Sequence, residues 1–152
     1  MRTIGVAAGL GVLVVAAVLA IALVLSLSNE TSWTDLDTGE CFDLAGALAD
    51  ASGDLAAVNA VDTVECAEPH DAQVVATGDL NGEGGRPYPS DDELFTAIDR
   101  TCDSLVADTI DRGTYGLVPI APDEQTWNDR AGRFACVAVV IGGGTVTGSA
   151  LP

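Results

Sequence analysis

The stretch Ser90–Ile110, SDDELFTAIDRTCDSLVADTI, decides the fold. It opens with Ser90 followed three positions later by Glu93, a capping box directly after Pro89, and it sets Asp91, Asp92 and Glu93 where the positive end of a helix favours carboxylates. Leu94, Ile98, Cys102, Leu105 and Thr109, joined by Phe95 and Val106, recur at helical spacing. This predicts a helix over 91–110 with Cys102 on its buried face.

On either side of that helix the signals change. Asn81–Pro89 (NGEGGRPYP) is a loop by composition, and Gly113–Pro122 is a second segment punctuated by glycine and proline. Phe134–Ile141 is an apolar, β-branched run that predicts a strand; Gly142–Gly144 turns, and Thr145–Thr147 is expected to return as a hairpin. Upstream, Val61–Cys66 alternates apolar and polar residues, and Gln73–Thr77 starts a second strand after the Pro69–His70 corner, so the two are candidate neighbours in one sheet. Residues 43–60, rich in Ala, Asp and Gly, read as a loop or weak helix. Strands around one main helix predict a small α+β domain with antiparallel strands.

Ahead of this domain, Ile4–Leu27 contains no charged, amide or proline residue. As a helix it would reach about 36 Å, enough for a hydrocarbon core of roughly 30 Å. Ser26-Leu27-Ser28 passes as a cleavage site, but the run is longer than the apolar core of about 7 to 15 residues in a signal peptide. The reading is therefore a retained signal-anchor. Arg2 precedes it while Asn29 and Glu30 follow, which orients the chain with its C-terminal part outside the cytoplasm. The expected organisation is a cytoplasmic stub at 1–3, a transmembrane helix at 4–27, a polar stalk at 28–38 and an extracytoplasmic domain at 39–152. The protein is thus expected in the cell membrane as a single-pass species.

The charge balance is extreme. Twenty-three acidic residues give a net charge of −17, and all of them lie at or beyond Glu30; five of the six basic residues, all arginines, share that part of the chain. Such a surface repels phosphate polyanions, which argues against nucleic acid as a partner. Four cysteines, 41, 66, 102 and 136, also lie beyond the apolar run. An even count without a CxxC pair in a small domain outside the cytoplasm reads as two disulfides, for which three connectivities exist. If the helix packs on the sheet, Cys102 and Cys136 become natural partners and Cys41 is left for Cys66.

The chain's single histidine stands in Cys66-Ala67-Glu68-Pro69-His70-Asp71. One reading makes Cys66 and His70 the centre of a metal site or an envelope enzyme. The other makes His70 a hydrogen-bonding side chain that fixes a corner set by Pro69. An oxidised cysteine is no thiolate ligand, a closed zinc site needs four ligands, and no G-x-S-x-G elbow accompanies the histidine. Asp35–Gly39 departs from a calcium loop in its glycine and its twelfth position, and Gly82–Gly85 lacks phosphate-cradle spacing. The expectation is no catalytic residue, no metal and no cofactor, with small-molecule ligands disfavoured. Trp127 with Arg130 and Arg133 is either a recognition patch or a tryptophan packed over the core. Pro69, His70, Trp127, Arg130 and Arg133 are the structural or partner-binding candidates.

Taken together, Gly39-Glu40-Cys41-Phe42, the run Val64–Val75 (VECAEPHDAQVV), Cys102 in a helix, and Pro122, Trp127, Arg133 and Cys136 followed by Thr147-Gly148-Ser149 resemble the septum-formation family of actinobacterial envelope proteins. The resemblance covers about residues 39–149. It implies a membrane-tethered extracytoplasmic module associated with septum formation and brings no catalytic residue with it. The functional expectation is a non-enzymatic, membrane-anchored protein that binds another envelope protein during growth or division.

Overall fold

The computed structural model describes residues 30–50, 59–81 and 85–152. The apolar segment 4–27 lies outside them. Among the described residues no helix is long and apolar enough to cross a membrane.

The chain runs β1 (Glu30–Ser32), a 3-10 turn (Trp33–Asp35), β2 (Cys41–Asp43), α1 (Leu44–Asp50), β3 (Ala60–Val64), β4 (Ala72–Asp79), α2 (Asp91–Val106), β5 (Tyr115–Ile120), α3 (Glu124–Asp129) and β6 (Arg133–Val140). The six strands form one antiparallel sheet in the order β1-β3-β2-β4-β6-β5. This is the α+β arrangement expected from the sequence. The two predicted strands either side of the Pro69–His70 corner are not neighbours, however, because β2 lies between them and pairs with both.

Alternation along β6 explains why the sheet is buried on both faces. Phe134, Cys136 and Ala138 face one core with Leu94, Ile98, Cys102 and Val106 of α2, together with Trp127 of α3. Ala135 and Val137 face the other, with Trp33, Leu36, Phe42, Leu44 and Val61. A bulge in β4 between Val74 and Ala76 adds a residue, so successive Val75 and Ala76 both turn towards α2. Just beyond it, a Cβ on Gly78 would stand 2.7 Å from the Phe134 ring. Only glycine lets that phenyl group lie against the strand.

The helix begins where predicted. The Ser90 N–H donates to Glu93 Oε2 at 3.2 Å and the Ser90 hydroxyl donates to the same oxygen at 2.7 Å. It ends at Val106, earlier than expected, and its buried stripe is Leu94, Ile98, Cys102 and Val106. Phe95 and Leu105, assigned to that stripe from sequence, are half exposed at 49% and 51%.

Three further expectations change. The polar segment 28–38 is not a free stalk, since Glu30–Ser32 pairs with β3 and Trp33 and Leu36 are buried. Gly113–Pro122 contains a strand, β5, at the sheet edge. The Ile141 N–H donates to Thr114 O, which fixes the pairing phase: Gly116, Val118 and Ile120 aim their backbone groups at β6, while Tyr115, Leu117 and Pro119 aim theirs outward. Pro119 therefore sits where its missing N–H breaks no ladder bond. Finally, Thr145–Thr147 does not return along β6; Val146 instead bridges to His70.

Disulfides join Cys41 to Cys66 and Cys102 to Cys136. The second links α2 to β6 across the core, and the first ties β2 to the turn after β3.

Candidate functional site at the Pro69–His70 corner

The motif residues converge where β2, β4 and the C-terminal segment meet. Pro69 is exposed at the turn, and His70 after it is 2% exposed. The His70 N–H donates to Val146 O at 3.0 Å and its carbonyl accepts from Val146 N–H at 2.8 Å. Its ring Nδ1 lies 2.9 Å from Glu68 O. A carbonyl only accepts, so Nδ1 carries the hydrogen and, in a neutral ring, Nε2 keeps the lone pair. That Nε2 is buried without a hydrogen-bond partner among the described residues.

The next two polar residues hold the fold from inside. Asp71, 8% exposed, accepts the Leu44 N–H at 2.7 Å and the Ala45 N–H at 2.8 Å, one on each carboxylate oxygen. These are the unpaired donors at the start of α1, capped by the residue just ahead of β4. Gln73, 1% exposed, donates through Nε2 to Gly39 O at 2.9 Å and to Ser149 Oγ at 3.1 Å, and its Oε1 accepts the Ala150 N–H at 2.6 Å. Gly148 N–H donates to Cys66 O. Residues 146–150 thus form a strap fixed to the corner by His70, Cys66 and Gln73.

The chemistry available here is limited by these bonds. Cys66 is oxidised, so it offers no thiolate to a metal or substrate. Among the described residues no group of three or more His, Cys, Asp and Glu side chains is placed to hold a metal ion. A cavity of about 480 Å³ opens beside the Cys41–Cys66 bond and is lined by Glu40, Glu65 and Glu68 with Gly39 and Thr63.

The other candidates lie elsewhere and do not join the corner. Trp127 is 4% exposed, donates from its indole to Arg86 O at 2.9 Å and meets Tyr88 edge-on at 5.9 Å between ring centroids. It is a core residue. Asn81, also buried, donates to Trp127 O and accepts from Arg86 N–H, locking the loop ahead of α2. Arg130 pairs with Asp35 at 3.0 Å, and Arg133 donates to Leu36 O at 2.7 Å and reaches Asp37 at 3.3 Å. Both arginines hold the segment that follows β1. Burial, then the Asp91, Asp123 and Glu124 carboxylates, push the Tyr88 phenol above its ordinary value. Its hydroxyl donates to Pro122 O at 3.2 Å.

Sequence reasoning singled out His70 and gave no structural role to Asp71, Gln73, Asn81 and Ser149. The signal for two of these was present: Gln73 is a polar residue among the alanines and valines of β4, whose two faces are covered, and Asp71 stands directly ahead of that strand. Such residues are retained where their hydrogen bonds are satisfied internally.

The septum formation family pattern matches residues 25–114. The chain belongs to the septum formation family. That match takes in β1 to β4, α1, α2 and three of the cysteines; β5, α3, β6 and the strap follow it. No curated protein and no solved structure matches the chain.

Proposed function

We propose that this septum formation protein is a non-enzymatic envelope module, tethered by residues 4–27 as a single-pass anchor with its folded domain outside the cytoplasm, that binds another envelope protein during growth or division. The observation that carries the reading is the use of the corner's polar atoms: Asp71, Gln73 and the His70 backbone are all bonded within the fold. Those groups support a scaffold, and none is left poised beside a nucleophile. Two disulfides suit an oxidising compartment. Family membership ties the chain to septum formation and so to division and the envelope.

The surface that best suits a partner is the outer side of α2, where Phe95, half exposed, stands among exposed Asp91, Asp92 and Asp99. An apolar anchor ringed by carboxylates fits a protein surface that presents an aliphatic or aromatic side chain beside arginine or lysine. Cross-linking the full-length protein in membranes through a photo-reactive residue at position 95 should trap one reproducible protein partner. Recovery of no partner, or hydrolytic activity lost in His70→Gln with the fold intact, would overturn the reading.

A further inference from the structure

The two disulfides differ in environment. Cys102 and Cys136 are both 0% exposed and sealed in the core between α2 and β6. Cys41 is also buried, at 1%, but Cys66 is partly exposed and both line the cavity of about 480 Å³. Of the two bonds, Cys41–Cys66 borders an open cavity and Cys102–Cys136 is enclosed by the core.

We propose that Cys41–Cys66 is a thiol-exchange site, attacked at Cys66 by a neutral or cationic dithiol reductant. The charge preference comes from Glu40, Glu65 and Glu68, which line the same cavity and repel an anionic thiol. In the exchange, one thiolate of the reductant bonds to Cys66 Sγ while Cys41 Sγ leaves with the electron pair and takes up a proton. The reductant's second thiol then attacks its own sulfur in the mixed disulfide and closes a disulfide, and Cys66 departs and is protonated. Two electrons and two protons pass to the protein, and the dithiol becomes a disulfide. Gln73 Nε2, 3.7 Å from Cys66 Sγ, is placed to donate to the departing sulfur. Opening the bond frees the turn whose Cys66 carbonyl holds Gly148, so the strap loses one of its three holds and loosens there first.

The test uses the oxidised full-length protein under native conditions, titrated with dithiothreitol, alkylated and mapped by mass spectrometry. Cys41 and Cys66 should label at about ten-fold lower reductant than Cys102 and Cys136. Hydrogen exchange should then rise at 66–70 and 146–150 while α2 and β6 stay protected. Among monothiols, cationic cysteamine should open the bond about three- to ten-fold faster than anionic mercaptoethanesulfonate. That gap should close in the Glu65→Gln/Glu68→Gln variant. Simultaneous opening of both disulfides, earlier opening of Cys102–Cys136, or equal rates for the two monothiols would overturn the proposal.

Discussion

Asp71 caps a helix that begins 27 positions before it: its two carboxylate oxygens take the N–H groups of Leu44 and Ala45 at 2.7 and 2.8 Å. The cap is tertiary, so β4 and α1 order each other. Because the Leu44 contact is buried, Asp71→Ala leaves a donor without water or partner. The expected loss is about 2 to 3 kcal/mol, above the roughly 1 kcal/mol of an ordinary cap. Urea unfolding reads it, and a loss under about 0.5 kcal/mol would contradict the assignment.

Gln73 offers a different handle because it serves the strap. Replacing it with Leu keeps the volume but strands Gly39 O and the Ala150 N–H, for an expected cost of about 2 kcal/mol. The diagnostic is location: hydrogen exchange should accelerate at 146–150 before it does in α2. Uniform acceleration across the domain would mean that the strap is held by something else.

At Gly132 the backbone is left-handed, with φ of 66°, and an added Cβ would stand 2.8 Å from the Trp127 ring and 3.1 Å from Asn81 N. Gly132→Ala should therefore destabilise by roughly 2 to 4 kcal/mol, combining backbone strain with displacement of a buried indole. Its neighbour Ala131 also has a positive φ, 54°, so Ala131→Gly should be neutral to slightly stabilising. In thermal melts Gly132→Ala should lower the midpoint while Ala131→Gly leaves it unchanged or raises it, and a drop in both would contradict the geometry.

Much of this organisation was readable where the physics is local. The α2 start was legible because a capping box and an acidic first turn act within four residues, and its core stripe because Leu94, Ile98 and Cys102 repeat every four. Phe95 and Leu105 misled because periodicity marks a helix face but not how far the neighbouring layer extends. Edge strands were harder. In β1 and the turn after it, only Trp33 and Leu36 carry burial in a polar run, and β5 holds a glycine and a proline that an outward-facing edge tolerates. The place of β2 between β3 and β4 depends on pairings such as Cys41 with Gln73, 32 positions apart, and the His70–Val146 bridge spans 76, separations for which no short window has a signal. The same separation hid Gln73, whose partners Gly39 and Ser149 lie 34 and 76 positions away.

Acid should loosen the helix starts first. Hydrogen bonds from the Ser90 hydroxyl and N–H hold the Glu93 carboxyl below its usual range, and those from Thr126 do the same for Asp123 at the start of α3. A carboxyl depressed in the folded state contributes stability that is present above its unfolded value and lost as pH falls through the folded one. Stability should thus decline as pH drops below about 4 to 4.5. Glu93→Gln and Asp123→Asn should each flatten that decline relative to the parent. Unchanged slopes in chemical denaturation at pH 3 to 5 would count against these caps.

The sheet order also has a mechanical consequence. β1 is held at one edge by three residue pairs to β3, and the chain before it leads towards the apolar segment. Tension entering from that side peels β1 and extracts Trp33 and Leu36, releasing at most residues 30–40, about 37 Å of extended chain. It then meets Cys41, bonded covalently to Cys66 in the turn after β3. The first disulfide carries load directly from Cys41 to Cys66, so the oxidised domain cannot release the chain between them, and the reduced domain yields further by that length.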